Sequence, residues 1–293
     1  MNARLKKLLA QSEQIPDLPP VYRLVEEAVE NPESSFEDIA RIIEDDRKLS
    51  ARLLKLANSS FYSYPVAVST VPDALSVIGL QQFKNIALAV SLPTLFSFDA
   101  KGPLGGRSFW RHSIAVGLCA RIMALELREG NTERFLLAGL FHKIGRLLAL
   151  SLDPKVYSLV LERAQREESH VQTIEQELLG FDTNELGALA LERWRLPANV
   201  IELVRHHAKP VLARGEVQEV SLIHLANFVV ESLQLGNAGD RFVADFSEAA
   251  WDYSGLEEER LPFIIEELLR QYDEVCSVFL DDDAIRELGS RSF

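Results

Sequence analysis

From Ser34 to Leu280 the apolar residues of this chain recur at helical spacing, and no convincing segment alternates apolar with polar residues as a half-buried strand does. Ile39, Ile42 and Ile43 form one i, i+3, i+4 stripe, and Leu49, Leu53 and Leu56 form the next. Leu75, Ile78, Ile86 and Val90 continue the pattern until Pro93. Trp110, Ile114, Leu118, Ile122 and Leu125 mark a long helix. Leu136, Leu137, Leu140, Ile144, Leu147 and Leu148 mark a further one. Val66-Ala67-Val68 is too short to make a strand. The spacing therefore predicts an all-α protein.

Local signals punctuate these helices. Ser34 with Glu37 and Asp182 with Glu185 have capping-box spacing. Thr70 with Pro72, and Asp153 with Pro154, pair a cap with an early helical proline. Pro197 opens a helix through Val200 and Val204, Ser221 to Leu235 forms another, and Pro262 to Leu280 is amphipathic. Residues 99–107, DAKGPLGGR, read as a loop and a subdomain boundary. No Gly-Lys-Ser/Thr follows them, so they are not a phosphate loop. The expected parts are residues 1–104, 105–235 and 236–293.

With 293 residues, 47% of them hydrophobic, the chain can bury a large core. Two cysteines, Cys119 and Cys276, cannot build a disulfide framework and fit a reducing, cytoplasmic setting. No targeting segment is visible, and apolar patches such as Ile86 to Val90 read as too short to cross a bilayer. No membrane association is expected. Residues 236–293 carry 15 acidic and 5 basic side chains, most of the net charge of −13. Such a surface repels phosphate backbones, so non-specific nucleic-acid binding is disfavoured. The acidic segment reads as a solvated helical face.

Chemistry centres on the six histidines, His112, His142, His170, His206, His207 and His224. A single histidine on an apolar helix is more often a hydrogen-bonded core residue than a ligand. Cys119 sits in an apolar stripe and reads as a core thiol rather than a nucleophile, and no GxSxG is present. Phe61, Tyr62 and Tyr64 either face a partner or tuck their loop onto the core.

The order of the histidines adds information. Phe141-His142-Lys143-Ile144-Gly145-Arg146-Leu147, after Leu137-Ala138-Gly139-Leu140, resembles the signature helix of HD-superfamily phosphohydrolases. Phe109-Trp110-Arg111-His112-Ser113 resembles the helix of that superfamily's first histidine, and Trp194-Arg195-Leu196-Pro197 through His206-His207 matches downstream. Leu18-Pro19-Pro20, the run from Ile39 to Asp46, the run from Leu49 to Tyr62, and Asp73-Ala74-Leu75 with Ile78-Gly79-Leu80 are similar to the HDOD family. The resemblance covers roughly residues 15–230. It implies a multi-helix HDOD fold with an N-terminal helical subdomain, an HD-like helical core and an acidic C-terminal helical extension.

An HD site holds divalent cations on histidines and aspartates, and the metal activates water. Here the resemblance places Lys143 where the pair's aspartate should stand, Thr183 at an expected histidine and Asn227 at the final aspartate. A charged ammonium has no lone pair to offer a metal. Losing both carboxylates leaves a cation uncompensated in a partly buried site. The vestigial site comprises His112, His142, Lys143, Thr183, His206, His207 and Asn227, with no metal or other cofactor expected. Any residual metal would rest on His112, His142, His206 and His207. Asp182 either pairs with Lys143 or caps its helix.

The expected function is a non-catalytic bacterial regulatory protein that binds signalling proteins of two-component or cyclic-dinucleotide pathways in trans. Two other readings stay open. One is a metal-dependent phosphohydrolase of nucleotides or cyclic dinucleotides, with Asp182 or Glu185 substituting as ligand. The other is a nucleotide sensor whose Lys143 and Arg146 receive a phosphate. The oligomeric state is not legible.

Overall fold

The computed structural model describes residue 5 and residues 15–62, 64–96 and 104–280, and among these every regular element is helical. The loop expected at 99–107 lies largely outside the described residues. By Gly106 the chain is already helical.

The N-terminal part comprises α1 (Pro20–Glu30), α2 (Phe36–Glu44), α3 (Arg47–Ala57), α4 (Val71–Ile78) and α5 (Leu80–Ser91). The capping box of α2 lies one residue later than its spacing suggested. Ser35 caps, and its backbone N–H donates to Asp38 Oδ2 at 3.0 Å. The shorter aspartate reaches the cap from the third helical position, so the box needs no glutamate. Thr70 caps α4 with Pro72 in its first turn. Gly79, at φ 88°, turns the chain between α4 and α5. Ile39, Ile43, Leu53, Leu56, Leu75 and Phe83 point into the interior that these helices share.

The second part is built on α6 (Gly106–Glu126), which is buried on nearly every face between His112 and Ala124. It packs against α7 (Glu133–Phe141). Gly117 and Gly139 allow this: a β-carbon on either would run into the backbone of the other helix. α8 (Ile144–Leu152), α9 (Pro154–Arg166), α10 (Val171–Leu179), α11 (Thr183–Arg193), α12 (Ala198–His206) and α13 (Val217–Ser232) complete the core. Asp153 caps α9 and Asp182 caps α11.

Two expectations need correction. The Leu136–Leu148 pattern is not one helix, because it breaks at His142 and Lys143, where α7 ends and α8 begins. The His142 ring bonds Gly139 O and takes a carbonyl near the end of α7. The stretch Glu133–Leu152 is also apolar and long enough, at 20 residues, to cross a bilayer, contrary to the short-patch reading. It is 89% buried inside the protein, where it forms core rather than a lipid-facing surface.

Through Leu280, the described part of the C-terminal segment packs on the rest of the protein. α14 (Glu248–Ser254) packs on α13, and α15 (Leu261–Phe279) packs on α6, α3 and α5. Ile264, Leu268, Tyr272, Val275, Cys276 and Phe279 are buried there. Arg111 Nη2 donates to Asp273 Oδ1 at 2.8 Å, and Lys55 Nζ to Ser277 Oγ at 3.2 Å, so α15 ties both parts together. Asp273 and Asp245 are solvated as expected, with side chains 85% and 97% exposed. Asp240 is not: its side chain is 14% exposed.

A second tie joins the two parts through the aromatic loop. Arg121 of α6 lies 3.8 Å from the centre of the Phe61 ring, and its guanidinium is 3.7 Å from Glu133. Tyr62 OH donates to Glu133 Oε1 at 3.3 Å and its ring stacks on Tyr64. The aromatics therefore hold the loop onto the core. Cys119 and Cys276 are free and buried, and burial pushes each thiol up to about 12.

Candidate functional site

Five helices and the loop after α13 bring the site together. α6 supplies His112, and the α7–α8 break supplies His142, Lys143 and Arg146. The end of α12 supplies His207, and α13 supplies His224, Asn227 and Glu231. Successive residues at a helix break point in different directions, so His142 turns toward the histidines and Lys143 toward the carboxylates.

The rings of His112 and His142 lie 5.3 Å apart, and those of His142 and His207 5.2 Å apart. Burial holds His112 and His142 well below the ordinary histidine range, and the Lys143 ammonium pushes in the same direction. Burial lowers His207 to about 3. The cluster is therefore neutral.

Asn227 links it to the charges. Its Nδ2 donates to Glu231 Oε1 at 3.0 Å, which turns Oδ1 toward His112 Nε2 at 3.1 Å and His142 Nε2 at 3.2 Å. His142 Nδ1 already donates to Gly139 O. A neutral ring has one proton, so His142 Nε2 and Asn227 Oδ1 meet lone pair to lone pair. Burial and Lys143 oppose the second proton that would relieve this contact.

Lys143 is the centre of the charged half. Its Nζ lies 2.7 Å from Glu231 Oε1, 2.7 Å from Asp240 Oδ2 and 3.3 Å from His112 Nε2. Arg146 grips the same Asp240 with both terminal nitrogens, Nη1 to Oδ2 at 2.5 Å and Nη2 to Oδ1 at 3.0 Å, and Nη1 also donates to Ala238 O at 2.9 Å. Burial alone would raise the Asp240 carboxyl, but Arg146 and Lys143 outweigh it and hold it well below the usual carboxylate range. Glu231 Oε2 accepts from Ala244 N at 2.6 Å.

Thr183 is buried, with its hydroxyl turned to Glu175: Oγ1 donates to Glu175 Oε1 at 2.8 Å and its N–H to Oε2 at 3.0 Å. Tyr157 OH also donates to Glu175 Oε1 at 2.7 Å. Burial raises the Glu175 carboxyl, while Arg146, 3.9 Å away, opposes that rise.

Of the two readings of Asp182 the cap holds: its Oδ1 accepts from Glu185 N at 3.2 Å, while Lys143 is engaged by Glu231 and Asp240. Two other expectations for single residues change. His206 does not join the cluster. It faces Glu202 at 3.8 Å, since adjacent helical residues point about 100° apart and only His207 turns inward. Glu185 pairs with Arg205 at 3.0 Å and cannot substitute as a ligand in the cluster.

Glu231, Asp240 and Glu175 were missed in the sequence. Glu231 follows Asn227 by four residues on one helix, so its place on the same face was legible. Glu175 lies on the apolar side of α10 beside Val171 and Ile174. Asp240 had no signal beyond its glycine-rich turn.

The chemistry of the donor set does not fit an HD metal centre. An ammonium stands among the carboxylates, where it supplies the positive charge a metal would bring and offers no lone pair. Among the described residues no group of three or more His, Cys, Asp or Glu side chains is placed to hold a metal ion.

A cleft of about 510 Å³ opens over this cluster, lined by Lys143, Arg146, His207, His224 and Asp240, with His170 at its rim. A second, of about 1010 Å³, lies beyond Asp240.

The helical fold and buried histidine cluster define an HD-related helical protein. The chain belongs to the HDOD family, whose HDOD domain profile matches residues 15–210. An HDOD domain protein of unknown function from Geobacter sulfurreducens has the same fold, with a TM-score of 0.74 and 22% identity over 95% of this chain and 97% of that one. A candidate signal transduction protein from Marinobacter aquaeolei VT8 superposes with a TM-score of 0.71 at 25% identity, over 92% of this chain and 61% of that one. A candidate metal-dependent phosphohydrolase from Shewanella amazonensis SB2B gives a TM-score of 0.66 at 25% identity, over 95% of this chain and all of that one (100%). An uncharacterized protein of Treponema pallidum (strain Nichols) is 26% identical over 226 residues, 75% of this chain; the match spans only 42% of that relative's length.

Proposed function

We propose that this chain is a non-catalytic regulatory protein of bacterial signal transduction, acting in the cytoplasm by binding signalling proteins in trans. The observation that carries this reading is the Lys143 ammonium, held at 2.7 Å by both Glu231 and Asp240 and at 3.3 Å from His112. A divalent cation at that point would meet a fixed like charge in a buried site, which is strongly unfavourable. The name of the Marinobacter relative agrees with a signalling role, and that of the Shewanella relative states the rival one. Partners from two-component or cyclic-dinucleotide pathways are the expectation that family resemblance supplies.

The test is elemental analysis of the purified protein before and after loading with zinc, iron, manganese, nickel and magnesium, followed by a phosphodiesterase assay. Absence of stoichiometric metal and of hydrolysis in both states supports the reading. One or two metals per chain, lost in His142→Ala and accompanied by hydrolysis, overturns it.

A second reading, a sensor for a small phosphate-bearing ligand, is favoured by the cleft. Its volume of about 510 Å³ suits a small molecule, and Lys143 and Arg146 line its floor. Both cations are already engaged by Asp240, so a ligand has to contend with that carboxylate.

A further inference from the structure

Asp240 meets its partners as a bound anion would. Two buried cations, with side chains 5% and 3% exposed, direct three N–H groups at its two oxygens. The guanidinium fork engages both oxygens at once, the geometry with which arginine recognises carboxylates and phosphoryl groups. Glu175 sits at the other edge of Arg146, near Nε, and is taken up by Tyr157 and Thr183. The Nη edge is thus left to whatever occupies the position of Asp240.

A loop, not a helix, delivers this carboxylate. Residues 233–247 join α13 to α14. The base of the loop is fixed: Gly236, at φ 79°, lies against the His112 backbone, and Asn237 N donates to Ser108 O at 3.0 Å. Gly239, at φ 104°, adopts a backbone that side-chain-bearing residues rarely reach, immediately before Asp240. Beyond it, Arg241, Phe242, Val243 and Phe246 are exposed. The loop contacts the site through Asp240, through Ala238 O on Arg146, through Ala244 N on Glu231, and at the cleft edge through Asp245 and Phe242 beside His224 and His170. The two clefts meet at the loop and share Glu231, Asp240 and Phe242 as wall residues.

We propose that Lys143 and Arg146 form a phosphoryl-binding site that Asp240 fills in the resting protein, and that a small phosphate-bearing ligand displaces Asp240 and the loop segment carrying it. The charges favour the exchange. Asp240 is the carboxylate that Lys143 and Arg146 share, and its withdrawal removes one negative charge from between them, which the ligand replaces. A phosphoryl group brings about one and a half to two negative charges and three acceptor oxygens, matching three N–H groups. Departure of the loop wall joins the two clefts and makes room for the rest of the molecule. The exposed loop face then differs between the two states, which links ligand to partner binding.

The inference rests on the second reading above, and its test does not involve metal or hydrolysis. Inorganic pyrophosphate is titrated calorimetrically into the full chain, into Asp240→Asn and into Asp240→Asn/Lys143→Met, at constant ionic strength. Asp240→Asn is expected to bind about tenfold more tightly than the original chain, and the double variant to lose that gain. Equal affinity in the original chain and Asp240→Asn, or no binding in either, overturns the proposal. Tryptic cleavage after Arg241 of the original chain provides the independent readout. Saturating pyrophosphate is expected to speed it roughly fivefold as the loop opens. If Asp240→Asn fails to fold, an unchanged cleavage rate by itself overturns the proposal, and an increased rate supports it.

Discussion

The Lys143 ammonium lies 2.7 Å from the carboxylate of Asp240, a residue 97 positions further along the chain. That contact closes the histidine cluster from the C-terminal side and makes the segment after α13 part of the site.

Removing the ammonium strands two carboxylates. Lys143→Ala leaves Glu231 and Asp240 facing an emptied position, with Arg146 as the remaining cation. Breaking a buried pair in this way costs about 3–5 kcal/mol. The same variant directs His112 Nε2, Glu231 Oε1 and Asp240 Oδ2 at one point, a set able to hold zinc. The expected result is a lower thermal midpoint that recovers with stoichiometric zinc. An unshifted midpoint, or zinc without effect, counts against this account of Lys143.

Acid should destabilise the protein early. His112, His142 and His207 have folded-state values below the ordinary one, His207 at about 3. The unfolded chain therefore binds more protons as pH falls below about 6.5. Stability is full above that value and declines below it, by up to about 1.4 kcal/mol per pH unit for each histidine. Asp240, whose folded value is depressed, adds a loss only below its ordinary range near pH 4. Urea midpoints at several pH values between 8 and 5 are expected to fall steadily from about 6.5 downward. A midpoint flat to pH 5 contradicts the neutral-cluster assignment.

Gly139→Ala tests the contact between α6 and α7. Its new β-carbon meets the Gly117 backbone, which cannot rotate away as a side chain could. Overpacking of this kind costs about 1–3 kcal/mol or more, read as a drop in the denaturant midpoint at constant slope. A variant as stable as the original means that the helices can separate freely.

Arg121 and Glu133 are each 6% exposed in their side chains and lie at the junction with the aromatic loop. Arg121→Met leaves Glu133 with Tyr62 as its polar partner and is expected to cost about 3 kcal/mol. Adding Glu133→Gln removes the stranded charge and recovers most of that loss. A double variant no better than the single one refutes the pairing.

Truncation after residue 235 is expected to unfold the chain rather than merely remove an interaction surface. It deletes Asp240 and the buried face of α15, including Ile264, Leu268, Val275 and Phe279. Each fully buried large apolar side chain contributes about 1.5–3 kcal/mol. Loss of the cooperative thermal transition in residues 1–235 is the expected outcome. Partner binding is better tested with substitutions on the loop surface.

Periodicity alone specified the helical class, because an apolar face at i, i+3 and i+4 buries itself only in a helix. Caps and prolines marked several boundaries to within a residue, as at Thr70, Asp153 and Asp182, since they act through bonds within one turn. The order of the histidines carried the family. The sequence also marked Lys143 as the residue at odds with a metal site, since an ammonium has no lone pair in any fold. It could not show what the ammonium faces. Asp182, next to Thr183 in the sequence, was one candidate partner, yet the fold assigns Glu231 and Asp240. Hydrogen bonds and ion pairs at 2.7 Å depend on how helices and a distant loop are oriented, which periodicity does not encode. For the same reason His206 and His207 looked equivalent until the end of α12 turned one outward and one inward. The sequence determined the kinds of charge in the site, and the tertiary structure decided which of them meet.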